Sequence, residues 1–243
     1  MTAPELSIVM PVFKEGEAIE PALRALAREV RTPHEILVVY DFDEDPTVPV
    51  IERLAAELPA VRGHRNDLGR GVLNAMKVGI SGSTGAYVLI TMADGSDEPR
   101  LVDSMVALAR DGADVVAASR YMPGGRQIGG PPLKRLMSRI AGLTLHWFAG
   151  VRTHDPTNNF KLYARRFLDV VTIESSAGFE LALELTVKAT LDGRTVAEVP
   201  TTWRDRTAGQ SNFKLRKWLP HYLHWYRRAF MGRWFGRVRG AAR

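Results

Sequence analysis

Ile90-Thr91-Met92-Ala93-Asp94-Gly95-Ser96-Asp97 ends the apolar run Tyr87-Val88-Leu89-Ile90 and stops where Glu98-Pro99 begins what reads as a Pro-capped helix. An unbroken apolar run bounded by small residues predicts a strand covered on both faces. The chain then drops abruptly into small residues and two carboxylates. In an open α/β sheet, ligands bind beyond the carboxyl ends of the strands, on loops free to carry function. Carboxylates at such an end suit a hard Mg²⁺ or Mn²⁺ ion that holds a polyphosphate. A solvated turn with two acids is the other reading, and the stretch alone does not choose between them.

Outward from that stretch, strands and helices alternate. Leu6 to Met10 predicts a first strand stopped by Pro11, and Ile19, Leu23, Leu26 and Val30 give Ala18 to Val30 a helical period. Ile36 to Tyr40 predicts a second strand ending in Asp41-Phe42-Asp43-Glu44-Asp45. A helix over Val48 to Leu58, a short strand over Val61 to His64, a turn at Leu68-Gly69-Arg70-Gly71 and a helix over Val72 to Ile80 follow. Asp114 to Ser119 reads as another strand, ending at Arg120. This alternation predicts an α/β fold: a mostly parallel open sheet flanked by helices.

The pattern loosens after Tyr121. Gly124-Gly125 and Gly129-Gly130-Pro131-Pro132 read as a lid-like loop. A helix over Leu133 to Phe148, a polar turn over Asp155 to Phe160, a helix over Gly178 to Thr190 carrying Glu180 and Glu184, and a final strand over Val196 to Trp203 complete the body.

Charge separates body from tail. The chain of 243 residues has a net charge of +6, yet no acidic residue follows Asp205, while Arg206 to Arg243 holds ten Lys and Arg. The body is therefore mildly acidic and the tail strongly basic, which predicts an anionic partner for the tail. One domain over 1–213 with a basic aromatic tail over 214–243 is the expected organisation. Within the tail, Trp218, Tyr222, Tyr226, Phe230 and Trp234 recur every four residues, with Leu215, Leu219 and Leu223 beside them and Lys217, Arg227, Arg228 and Arg233 around. On a helix this predicts an interfacial face on anionic lipid. The same aromatics could instead pack on the helix's own domain, a second copy of the chain or a membrane-protein partner. Nucleic acid is not expected, since no recognised binding motif appears.

The chain has no cysteine, so thiol nucleophiles, disulfides and thiolate metal sites are excluded, and His34, His64, His146, His154, His221 and His224 lack zinc-ligand spacing. The N-terminus lacks the features of a signal peptide, and no run reaches the ~18–20 apolar residues of a membrane span.

In order and at matching spacing, the motifs of this chain resemble those of family-2 glycosyltransferases with the GT-A fold, in the polyprenyl-phosphate (dolichol-phosphate) mannosyltransferase branch. Ser7 to Glu15 resembles the opening strand and its P-x-aromatic-N-E loop. Glu35 to Asp41 is similar to the strand ending in paired aspartates, Asn66 to Gly71 to the Gly-rich turn, and Met92-Ala93-Asp94 to D-x-D. Ser119-Arg120-Tyr121 with Gly124-Gly125, Asp155 to Tyr163, Gly178 to Glu184, and Asp205-Arg206 with Gly209-Gln210-Ser211 complete the series. Three positions depart from it: Lys14 replaces the loop's Asn, Tyr40 the first paired Asp, and Met92 the first Asp of D-x-D.

The resemblance implies a nucleotide-sugar donor held by Pro11, Phe13, Glu15, Asp41, Gly69, Ala93 and Asp94. It implies a divalent metal, Mg²⁺ or Mn²⁺, on Asp94, for which Asp97 could replace the carboxylate lost at Met92. Arg206 or Lys214 would add positive charge for the leaving diphosphate. An acceptor phosphate would meet Arg120, with Lys134 and Ser138 added by resemblance. Such an acceptor is mostly ionised at neutral pH, its second pKa being ~6, so it needs cations rather than a base. Asp94, Arg120 and Arg206 form the expected catalytic set. The expected activity is inverting transfer of a hexose, mannose from GDP-mannose, to a polyprenyl phosphate by a peripheral protein on the cytoplasmic face of the cell membrane. One rival is transfer to a glycan or protein hydroxyl, which would need Glu180, Glu184 or Asp205 as base. The other is a degenerate, non-catalytic nucleotide-sugar binder.

Overall fold

A computed structural model describes residues 3–205 and 215–235. The chain runs β1 (Leu6–Pro11), α1 (Glu20–Glu29), β2 (His34–Tyr40), α2 (Val48–Glu57), β3 (Val61–Arg65), α3 (Val72–Gly82), β4 (Tyr87–Ile90), α4 (Val102–Arg110) and β5 (Val115–Ser119). It continues through β6 (Arg126–Ile128), α5 (Pro132–Ala149), β7 (Lys161–Ala164), α6 (Arg165–Leu168), α7 (Leu181–Leu191), β8 (Val196–Pro200), β9 (Thr202–Arg204) and α8 (Leu215–Phe235).

Seven strands form one sheet in the order β3-β2-β1-β4-β7-β5-β8. All its pairings are parallel except those of β7, which runs antiparallel to both β4 and β5. The expected open, mostly parallel sheet is present. Side-chain alternation explains its two covered faces. Ile8, Met10, Ile36 and Val38 point into one core with α1, α2 and α4, while Val9, Leu37 and Val39 point into the other with α3 and α7. Contact on the α3 side is close: a Cβ on Gly79 would sit 2.2 Å from Val9 Cγ1.

Strand order reverses around β1, whose neighbours β2 and β4 lead away in opposite directions. That arrangement opens a crevice beyond the carboxyl ends of these strands. Asp41 follows β2 and Asp94 follows β4, so the fold brings them to the same crevice.

One strand was not expected, and one local expectation is corrected. The segment after the polar turn is a strand: Lys161–Ala164 is buried throughout, but four residues headed by a lysine are too short to show a strand period. The final strand is two strands. It breaks at Pro200–Thr201, where Thr201 N donates to Ser119 O and Arg126 N donates to Thr201 O, so β8 stays in the main sheet and β9 pairs with β6.

The aromatic face of α8 is also corrected. Trp225 and Ala229 are buried with Leu145 and Ala149 of α5 and Leu183 and Val187 of α7. Trp218 is buried against Phe179, with ring centroids 5.2 Å apart. Tyr222 Oη donates to Phe179 O, and Tyr226 Oη donates to Thr144 Oγ1. The four-residue stripe thus faces its own domain for most of its length, and only Trp234 at its end is largely exposed. Burying these rings against α5 and α7 removes more apolar area from water than solvating them would. The expected boundary at 213/214 lies outside the described residues. Among the described residues, no helix is long and apolar enough to cross a membrane.

Candidate active site

A cavity of about 1020 Å³ fills the crevice and continues beneath α5 and α8. Its lining contains Pro11, Phe13, Glu15, Asp41, Ala93, Asp94, Asp97, Arg120, Lys134 and Ser138, so the fold gathers ten of the expected residues in one place. Gly69 does not line it. That residue has φ +91° and its carbonyl accepts from Asn66 Nδ2 and Asn74 Nδ2, so it shapes the turn that brings Arg70 and Gly71 to the wall. Arg206 and Lys214 lie outside the described residues.

At one end, Asp41 accepts from Asn66 Nδ2 at 2.7 Å and from Gly71 N at 3.0 Å, which ties the end of β2 to the Gly-rich turn. A carboxylate offers about four acceptor sites, so capacity remains for a ligand's N–H or O–H. The β1 loop is fixed in turn by the buried Asp45 and Thr47: Lys14 N donates to Asp45 Oδ2, while Glu15 N and Gly16 N donate to Thr47 Oγ1. Lys14 is the sole non-glycine residue with positive φ (+57°) among the described residues. Asn adopts this conformation more readily than Lys, so the departure at Lys14 keeps the backbone shape at some strain. Its ammonium lies 5.5 Å from the Phe13 ring centroid, and the Arg70 guanidinium lies 4.6 Å from that of Phe42. Phe42 and Arg70 had no expected role. Their signal was available in the acidic strand end and the Gly-rich turn, but stacking between them is decided in space.

In the middle is the loop after β4. Ser96 N donates to Asp94 Oδ1, and Asp97 Oδ2 accepts from Thr91 Oγ1 at 2.9 Å. Burial, reinforced by the charge of Asp94 and opposed by the Thr91 hydrogen bond, pushes the Asp97 carboxyl up to about 7. Ser96 Oγ is buried without a hydrogen-bond partner. Among the described residues no cluster of three or more metal-ligating side chains exists. Mg²⁺, however, is commonly held by one or two carboxylates with substrate phosphates supplying further oxygens. Two carboxylates and an unpartnered hydroxyl on one cavity-lining loop fit such an ion. Met92 adds nothing to that set; it packs against the apolar core on the α3 side.

In the same lining, Arg120 is gripped by Asp155: Nε donates to Oδ2 at 2.6 Å and Nη2 to Oδ1 at 2.9 Å. Nη2 also reaches Ser138 Oγ at 3.3 Å and Thr157 Oγ1 at 3.4 Å, and those hydroxyls are 2.7 Å apart. Burial works against charge on both partners, but their mutual attraction prevails, raising the Arg120 pKa and holding Asp155 below the usual carboxylate range. Behind them the buried Lys161 donates to the carbonyls of Asp155 and Asn158. The motif from Asp155 to Tyr163 therefore builds a seat for Arg120. Lys134 lines the same part of the cavity from the first turn of α5.

Glu180 and Glu184 are placed elsewhere. Both are buried and absent from the lining. Glu180 accepts from Ala177 N and Gly178 N, whereas Glu184 accepts from Glu174 N and Ser175 N and pairs with Lys188 at 2.7 Å. They organise the entry to α7, and of the three expected base candidates only Asp205 lines the cavity.

A mostly parallel sheet with a cavity at its strand reversal, lined by carboxylates and by a fixed cation, is an α/β frame suited to a charged substrate. The chain belongs to glycosyl transferase family 2, which matches residues 7–172, and it is a glycosyltransferase enzyme. It is similar to the polyprenol monophosphomannose synthase of Mycolicibacterium smegmatis, 28% identical over 87% of this chain and 85% of that one. The undecaprenyl-phosphate mannosyltransferase of Micrococcus luteus is 29% identical over 84% of this chain and 85% of its own. The fold is GT-A. Glucosyl-3-phosphoglycerate synthase from Mycobacterium tuberculosis, solved with Mn²⁺ and UDP, superposes with a TM-score of 0.65 at 18% identity, covering 95% of this chain and 80% of that one.

Proposed function

We propose that this enzyme transfers a hexose, mannose from GDP-mannose, to a polyprenyl phosphate with inversion at the anomeric carbon. The observation that carries this reading is Arg120, locked by Asp155 and reaching the Ser138 and Thr157 hydroxyls in the cavity that Asp94 also lines. A cation held beside two hydroxyls suits a phosphomonoester. The relatives named above, which act on polyprenyl phosphates by name, support the same acceptor.

In the proposed reaction a phosphate oxygen of the acceptor attacks the anomeric carbon. A new C–O bond forms as the bond to the diphosphate breaks, and the nucleoside diphosphate leaves. Arg120, Lys134 and Ser138 orient the attacking phosphate, which arrives charged and requires no deprotonation. Glu180 and Glu184, tied up away from the cavity, leave a hydroxyl acceptor with fewer candidate bases. Glu15 and Asp41 accept hydrogen bonds from the nucleoside, with Pro11, Phe13 and Ala93 walling it. A divalent ion, held by Asp94 and Asp97, would neutralise charge on the leaving diphosphate. The enzyme is read as peripheral on the cytoplasmic face of the membrane, where anionic lipid attracts basic surfaces.

The test is product analysis. Purified enzyme, labelled GDP-mannose and a short-chain polyprenyl phosphate should yield an acid-labile mannosyl phosphate. Transfer to free hydroxyls alone, or donor binding without turnover in Mn²⁺, overturns the proposal.

A further inference from the structure

Residues 115–154 contain no Asp or Glu but carry Arg120, Arg126, Lys134, Arg135, Arg139 and Arg152. Within that segment α5 is two-faced. Gly142, Leu145 and Ala149 are buried, and a Cβ on Gly142 would meet the His154 carbonyl at 2.2 Å, so this face is pressed onto the domain. The opposite face carries Leu133 (61% exposed), Leu136 (56%), Ile140 (52%) and Trp147 (70%), with Phe148 (62%) beside it. At 3.6 residues per turn, the first four fall within an arc of about 60°. Arg139 is exposed on the flank of this stripe, while Arg135 is exposed toward the cavity. The end of α8 lies alongside, since a Cβ on Gly150 would be 3.5 Å from Arg233 Nε, and it adds exposed Trp234 and Phe235.

We propose that this outer face of α5, joined by the end of α8, is the surface that docks on an anionic phospholipid bilayer. The inference rests on the reading that the acceptor is a lipid phosphate, and it assigns the lipid contact mainly to α5, with only Trp234 of the tail's aromatic stripe taking part. Large apolar side chains on one helical face, flanked by Arg and free of acids, match an interfacial helix in composition and charge. Geometry adds a reason for the location. Lys134 and Ser138, on α5 itself, line the cavity, so a helix lying in the headgroup layer presents the acceptor subsite at the depth where a lipid phosphate resides. Exposed apolar area of this extent marks an interaction surface rather than ordinary solvent contact.

The test uses the full chain with phosphatidylglycerol-containing vesicles, phosphatidylcholine vesicles, and a water-soluble short-chain prenyl phosphate. Ile140→Glu/Trp147→Glu should lower the apparent affinity for anionic vesicles by at least about tenfold. Turnover of the soluble acceptor should stay at the wild-type level. Phe230→Ala, on the stripe packed against the domain, should change vesicle affinity less than twofold by the same logic. Wild-type-like vesicle binding by the double variant overturns the inference. So does loss of a dimer in sedimentation without loss of vesicle binding, which would make the face a contact for a second copy. If vesicle binding depends on Ile140 and Trp147 but no prenyl phosphate is glycosylated, the docking surface stands and the acceptor reading fails.

Discussion

Asp155 holds Arg120 by both carboxylate oxygens, at 2.6 and 2.9 Å, and adds a third bond from the Arg120 backbone N–H at 3.1 Å. The guanidinium therefore has one orientation, with Nη2 toward Ser138 and Thr157. Asp155→Asn should leave a buried Arg without its counter-charge and destabilise the fold by about 3–5 kcal/mol. In protein that remains folded, KM for the acceptor should rise more than KM for the donor. Urea melts and steady-state kinetics with each substrate varied check this; equal effects on both KM values would place Arg120 outside the acceptor subsite.

Asp97 gives a pH dependence of defined sign. Its folded pKa, about 7, lies above the ordinary carboxylate value of 3.8, so between those values the folded state binds the additional proton. Stability from this group is therefore greatest at low pH and is lost as pH rises toward and through 7. The upper bound is about 4 kcal/mol. In EDTA, Asp97→Asn should melt above wild type at pH 8, and the gap should narrow steadily below pH 7 and close only near pH 4. A gap independent of pH would refute the assignment.

Glu184 separates a structural carboxylate from a base. Glu184→Gln removes the charge that pairs with buried Lys188 and should destabilise the protein by about 3 kcal/mol. The same substitution should leave kcat of the folded enzyme within about twofold, because a phosphate acceptor needs no base there. A large loss of kcat with intact stability would restore the hydroxyl-acceptor rival.

The Arg70 guanidinium lies 4.6 Å from the Phe42 ring centroid, at the end of the cavity proposed to take the donor. Arg70→Ala should weaken nucleoside diphosphate binding by about tenfold, the loss of one charge-assisted contact. Isothermal titration with GDP and UDP measures it. Unchanged affinity for both would mean that the pair only stiffens the Gly-rich turn.

Several features of the site were legible because they are local. The apolar runs at Leu6–Pro11, His34–Tyr40 and Tyr87–Ile90 announce buried strands, and polar residues directly after them announce a crevice. Pro11, Asp41 and Asp94 needed only strand ends and chain order to be placed. Lys161 was not legible as a strand residue, because its burial depends on carbonyls of Asp155 and Asn158 that meet it across a turn. Glu180 and Glu184 looked like candidate bases because spacing reports a shared helix face, not what that face meets.

The sequence by itself determined the sheet's alternation, the cation and carboxylates at its strand ends, and a tail rich in rings and positive charge. Tertiary structure alone decided where each polar group is spent: Arg120 on Asp155, Glu184 on Lys188 and two backbone N–H groups, Trp218 and Trp225 on the domain's own core. Periodicity is a property of one element and can be read along the chain. The choice between water, lipid and protein as the neighbour of a face depends on elements distant in sequence, and α5 shows the outcome, since packing of α7 and α8 covers one of its sides and leaves Leu136, Ile140 and Trp147 bare.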